Sequence, residues 1–170
     1  MSTPKGWLAV GTAPQDYELA VDDSEKHSGT RCAVIRTRAD HPSGFCTLMQ
    51  ELCADEYRGQ RVRLSAWVKT SLVEGRAWLW MRADSDTKMA IAFDNMQARP
   101  IHGSTEWTRH DVVLDIPDPT VVLAFGLGLQ GPGTAWLDEV TLEKVGRDVP
   151  TTNPPPIEKP RQPTNLSFEA

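Results

Sequence analysis

Three tryptophans and three arginines fall at alternate positions in two short stretches, "RVRLSAWVK" and "AWLWMRAD". In the first, Arg63, Ser65 and Trp67 share one parity, while Val62, Leu64, Ala66 and Val68 share the other. In the second, Trp78, Trp80 and Arg82 alternate with Ala77, Leu79, Met81 and Ala83. Successive side chains of a strand point to opposite faces, so each stretch sends aliphatic groups to a core and indoles with guanidiniums to the outside. Aromatic planes beside charged and amide groups suit a ligand with both apolar and hydrogen-bonding faces, a saccharide or a polycyclic metabolite. Asp94, Met96, Gln50 and Gln130 are expected to join this face. Ala124, Gly126 and Gly128 share one face of "VLAFGLGLQ" and would leave room above it.

Acid–base chemistry would need a carboxylate in that cleft. Asp94 beside Arg82, or Asp84 beside His102, could supply one. An aspartate beside an arginine on a strand is also the pattern of a structural ion pair. His27, His41, His102 and His110 show no H-x-H or H-E-x-x-H spacing, which speaks against catalytic zinc. No G-x-S-x-G elbow and no phosphate-cradling glycine loop is present, and no organic cofactor is expected. Cys32, Cys46 and Cys53 are odd in number and lack C-x-x-C spacing, which argues against a disulfide framework and a structural zinc site.

The elements that position these residues read as strands. At 170 residues the chain suffices for one domain with a real core. No long segment has a 3.6-residue apolar period, and several have period 2. Besides the three stretches quoted, strands are expected at 6–10, 17–21, 30–37, 45–52, 88–96, 109–115 and 135–144, with one short helical turn at 54–59. Between them lie "DDSEKHSG", "DHPSG", "VEG", "DSDT", "HGST", "PDP" and "GPG", which read as turns. About ten strands without a long helix predict an all-β antiparallel sandwich of the jelly-roll type. The net charge of −5, with no basic stripe, speaks against nucleic acid. The short apolar runs speak against a membrane span. The opening "MSTPKGWLAVG" lacks the pattern of a signal peptide, so the expected location is the cytoplasm. The predicted organisation is a sandwich over 1–147, a proline-rich linker over 148–163 and a C-terminal strand, "TNLSFEA", over 164–170.

The segments "GWLAVGTAPQDYELAVDDSEKHSGTRCAVI", "AWLDEVTLEKV" and "NLSFE" resemble pieces of carbohydrate-binding-module-like jelly rolls of the galactose-binding type. That family often opens on N-L-x-F-E, continues with G-W and H-S-G, and closes on W-L-D-x-V. Here the opening strand stands last, so the chain resembles a circular permutation. Its internal stretches are also similar to the sandwich appended to some bacterial transcriptional regulators. The resemblance implies a structural calcium, with Asp138 and Glu169 as its side-chain ligands. It also implies that the C-terminal strand completes a sandwich, its own or a neighbour's. The linker spans up to roughly 50 Å in polyproline form, against about 35–40 Å for a domain of this size. The expected protein is therefore a monomer or a strand-exchanged homodimer.

Three functions compete on this evidence. The first is a non-catalytic small-molecule or saccharide module, with Arg63, Trp67, Trp78, Trp80, Arg82, Asp94, Gln50 and Gln130 lining its cleft, as a sensor or regulatory component. The second is an intracellular enzyme, by analogy with the jelly-roll Stig cyclases: Asp94 would donate a proton and the indoles would stabilise cationic charge. The third is an oligomerisation module that exchanges its last strand.

Overall fold

The structure is a computed structural model and describes residues 3–154 and 159–168. Among the described residues nine strands follow one another: β1 (Leu8–Gly11), β2 (Tyr17–Asp22), β3 (Cys32–Thr37), β4 (Phe45–Cys53), β5 (Arg61–Ser85), β6 (Ala92–Asp94), β7 (Ile101–Asp115), β8 (Thr120–Gln130) and β9 (Thr134–Val145). One 3-10 turn, Pro14–Asp16, precedes β2. Every ladder is antiparallel. One sheet runs β2-β3-β9-β5-β7 and the other β1-β4-β8-β5-β6. Their inner faces close on a core in which Leu48, Leu64, Leu79, Met81, Leu114, Leu127 and Leu129 are sealed from solvent. Trp7 packs edge-on against Phe125, ring centroids 5.8 Å apart. Among the described residues no helix is long and apolar enough to cross a membrane.

β5 belongs to both sheets. Its first half pairs with β9 and its second half with β8. Even-numbered residues, Val62 to Val68, are buried in the first half. Odd-numbered residues, Ala77 to Ala83, are buried in the second. The change of phase falls at Leu72, which has φ 52° and is exposed. The ladder to β7 shifts register around it. A bulge of this kind lets one strand keep its apolar face inward while it turns from one sheet to the other. The sequence reading of two strands separated by a "VEG" turn is therefore corrected: Val73, Glu74 and Gly75 lie inside β5. "HGST" likewise runs inside β7. The strand expected over 88–96 shrinks to β6, because Ser85 and Lys88 close a turn and Asp84 holds the Ala90 N–H.

The linker starts on the sandwich rather than away from it. Arg61 Nη1 donates to the carbonyls of Arg147 (3.0 Å) and Val149 (2.7 Å). Thr152 exchanges hydrogen bonds with the Val113 backbone on β7. Further on, residues 164–168 form a turn closed by the Phe168 N–H on the Asn165 carbonyl. Leu166 and Phe168 are 72% and 87% exposed. Among the described residues no ladder joins this segment to the chain's own sheets. Glu169 lies outside the described residues.

The thiols are free. Burial, with nearby acidic groups adding to it, pushes Cys32 up to about 12. Burial pushes Cys46 up to about 11. Both are protonated at neutral pH and act as small core residues. Cys53 is exposed.

Candidate functional site

The outer face of the β1-β4-β8-β5-β6 sheet carries a groove of about 380 Å³. Its pattern follows from register. Phe45, Gln130 and Arg76 stand in one row across β4, β8 and β5. Val10, Thr47, Gly128 and Trp78 make the next. Met49, Gly126 and Trp80 follow, then Ala124, Arg82 and Phe93. The small residues of β8 form a lane between larger neighbours. The Trp78 indole lies over Gly128, where a Cβ would collide with it. Trp80 donates through Nε1 to Thr47 Oγ1 at 2.6 Å. Both indoles are 5% exposed, so they form the floor of the groove rather than projecting from it.

The guanidiniums cover those rings. The Arg76 Cζ stands 4.7 Å from the Trp78 ring centroid and the Arg82 Cζ 5.7 Å from that of Trp80. Arg82 is committed to Asp84, with Nε and Nη2 donating at 2.8 and 2.9 Å. Arg76 makes one long bond, Nε to Gln130 Oε1 at 3.3 Å. Phe93 and Asn95 close the β6 side, and Phe93 is 42% exposed. Beyond Arg76 the groove opens into a more polar depression that includes Ser43, Glu74, His102 and Gln130.

The eight cleft residues expected from sequence do not all meet. Trp78, Trp80 and Arg82 share the groove, with Gln130 at its end. Arg63 and Trp67 lie on the opposite sheet, because β5 bends between the two halves. There Arg63 pairs with Glu143 at 2.6 Å and Trp67 stacks on His27 at 3.9 Å between centroids. Gln50 faces away from the groove and donates to the Gly6 carbonyl at 3.2 Å. Asp94 lies opposite Met81, on the core side of β6, and is 3% exposed. It accepts from Arg99 Nη2 (2.7 Å), Thr152 Oγ1 (2.6 Å) and the Met96 N–H (2.9 Å). Asp94 is thus placed as a buried ion-pair partner, not as an acid facing a ligand. Asp84 and His102 are not partners either: His102 Nδ1 meets the Gly75 carbonyl at 2.6 Å. Sequence reasoning missed Phe45, Thr47, Arg76 and Phe93. Arg76 shares the parity of Trp78 and Trp80 and was within reach of the same pattern.

Asp138 has another occupation than calcium. Its Oδ2 accepts the N–H groups of His27 (2.8 Å) and Ser28 (3.0 Å), and its Oδ1 accepts that of Glu139. The "HSG" turn and the "WLD" strand do meet, but through N–H donors, which a cation would repel. Among the described residues no three His, Cys, Asp or Glu side chains converge as a metal cage. Asp138 in this arrangement does not fit a calcium site. Asp22 anchors the same loop. Burial alone would raise its carboxyl, yet Ser24 Oγ, Trp136 Nε1 and the N–H groups of Ser24 and Glu25 outweigh that and hold it at about 2. The folded value lies below the unfolded one. Its contribution is therefore complete above pH 4 and fades as pH falls towards 2. Asp22→Asn should flatten the fall in urea midpoint across that window, relative to the parent.

No family model matches the chain. A Bacillus subtilis (strain 168) protein named as the HTH-type transcriptional regulator YbfP is 42% identical over 167 residues, 97% of this chain and 57% of the relative. The chain thus spans little more than half the length of the curated relative it matches. The CBM22-1 xylan-binding domain from Paenibacillus barcinonensis Xyn10C superposes with a TM-score of 0.60 at 16% identity, over 85% of this chain and 89% of that one. TmCBM61, solved in complex with β-1,4-galactotriose, gives 0.55 at 14% identity, over 84% and 91%. The fold is that of the carbohydrate-binding-module jelly rolls.

Proposed function

We propose that this domain is a non-catalytic ligand-binding module that takes a saccharide or similarly sized small molecule in the groove around Trp78 and Trp80, as the sensing part of a regulatory protein. The observation that carries the reading is the groove's lining. It combines a tryptophan floor, phenylalanines at the sides, and guanidinium and amide groups at the rim. Among the described residues its lining has no carboxylate, histidine or cysteine, the groups that perform most proton transfer and nucleophilic attack. Binding at such a surface combines apolar contact with a few hydrogen bonds. The 42% identity to an HTH-type regulator supports a regulatory setting, and the carbohydrate-binding neighbours support the ligand class.

The test is a glycan and metabolite array, followed by calorimetry on the tightest ligand with Trp78→Ala, Trp78→Phe and Trp67→Ala. Trp78→Ala should weaken binding by about 10- to 100-fold, the loss expected for removing a large aromatic contact. Trp78→Phe controls for folding and should fall between. Trp67→Ala, on the opposite sheet, should leave affinity unchanged. Loss of binding in Trp67→Ala with full affinity in Trp78→Phe and Trp78→Ala would move the site to the other face. Turnover of the bound ligand would replace the binding reading with an enzymatic one.

A further inference from the structure

The groove is rich in donors and poor in acceptors. We infer that its ligand is anionic: a saccharide bearing a carboxylate, gripped by Arg76. This inference rests on the binding reading above and names the ligand class for the same groove.

Arg76 and Arg82 are the charged residues of the lining, and they differ in what they have left to give. Arg82 is neutralised by Asp84 through a two-pronged pair. The contacts of Arg76 are the Gln130 amide, at 3.3 Å from Nε, and the face of the Trp78 indole. Among the described residues no carboxylate is within ion-pair distance of it. Glu74, in the adjoining depression, makes no ion pair with it. The Arg76 Cζ lies over the indole ring, and among the described residues the one side-chain hydrogen bond of Arg76 is made by Nε. Nη1 and Nη2 have no protein acceptor among the described residues. A guanidinium fork matches the two oxygens of a carboxylate.

Two further donors stand beside it. Trp78 Nε1 has no hydrogen-bond partner among the described residues, whereas Trp80 Nε1 is spent on Thr47. The side-chain amide of Asn95, on the far side, is likewise without a partner. The hydroxyl of Thr47 is used twice, accepting from Trp80 and donating to the Leu127 carbonyl at 3.0 Å. A neutral sugar can accept hydrogen bonds from this set through its hydroxyl and ring oxygens, but it carries no charge to answer the guanidinium. A carboxylated sugar adds two charged acceptors and a negative charge where, among the described residues, the protein has an uncompensated positive one. The apolar ring face would rest against Phe45 and Phe93, while the acid group points to Arg76 at the mouth of the polar depression.

The experiment compares matched pairs. An array carrying acidic oligosaccharides, among them trigalacturonate, is probed beside the methyl esters of the same chains, which keep the ring and remove the charge. Calorimetry on the tightest pair follows, with the parent and with Arg76→Gln. The acid should bind at least about tenfold more tightly than its ester, as expected for hydrogen bonds between charged partners. That preference should shrink with added salt and vanish in Arg76→Gln. Equal affinity for acid and ester, with both lost in Trp78→Ala, overturns the charge preference and leaves the groove reading standing. A preference that persists in Arg76→Gln overturns the assignment to Arg76. Failure of acidic, esterified and neutral chains alike overturns this inference together with the saccharide reading on which it rests.

Discussion

Alanine at Gly126 should destabilise the domain by about 3 kcal/mol, at the upper end of the cost of overpacking. A Cβ there would overlap the carbonyl oxygen of Leu48 and stand 3.0 Å from its carbonyl carbon and 3.1 Å from the Met49 Cα. These are backbone atoms of β4, which is held on one side by β1 and on the other by β8. They cannot yield without opening a ladder in the middle of the sheet. Gly128→Ala provides the comparison. Its Cβ would run into the Trp78 indole, 2.9 Å from Cδ2, so the obstacle is a side chain that can swing out. The stability loss should be smaller, about 1–2 kcal/mol, but the groove floor would be displaced and ligand affinity lost with it. Urea unfolding followed by tryptophan fluorescence, with ligand titration on each variant, separates the two. Equal stability loss at both positions would show that the β4–β8 spacing is softer than described.

Removing Asp94 should cost about 2–3 kcal/mol, because a buried carboxylate that accepts from Arg99, Thr152 and the Met96 N–H is lost. Asp94→Ala leaves the Arg99 guanidinium without its carboxylate and Thr152 without its acceptor. The strap formed by residues 147–152 should loosen with it, and amide exchange at Thr152 and Val113 should rise. Asp94→Asn keeps the shape and part of the hydrogen bonding, so it should fall between parent and alanine. Neither change should alter ligand affinity measured on the folded fraction. An Asp94→Asn variant that is fully stable but has lost affinity or turnover would return Asp94 to the role of a site residue.

Much of the architecture was written in the alternation of apolar and polar residues. The buried sets Val62–Val68 and Ala77–Ala83 were assigned to the core from parity alone, and the same parity put Ala124, Gly126 and Gly128 of β8 on the opposite, outward face. Parity is a local property, because each side chain points by the pleat of its own strand. It carries no information on whether two runs belong to one strand or two. That is why Trp67 and Trp78, alike in sequence pattern, were expected on one face. The bulge at Leu72 places them on opposite sides of the molecule.

The candidate site was legible in the same partial sense. Trp78, Trp80, Arg82 and the facing glycines share a face because strand parity dictates it once the strands pair. Asp94 had the right residue type and sat beside the right strand, but β6 presents it to the core side, where Arg99 and Thr152 claim it. Asp138 and the "HSG" turn meet through the N–H groups of His27 and Ser28. By itself, then, the sequence determined the all-β class, the inward and outward faces of each strand and the small residues that make space, since these depend on neighbours two or three positions apart. Only the tertiary structure decided which outward faces meet and which charges find partners. Arg82 has Asp84, and among the described residues Arg76 has no carboxylate; that difference arises from contacts set by register and by the bend of one long strand.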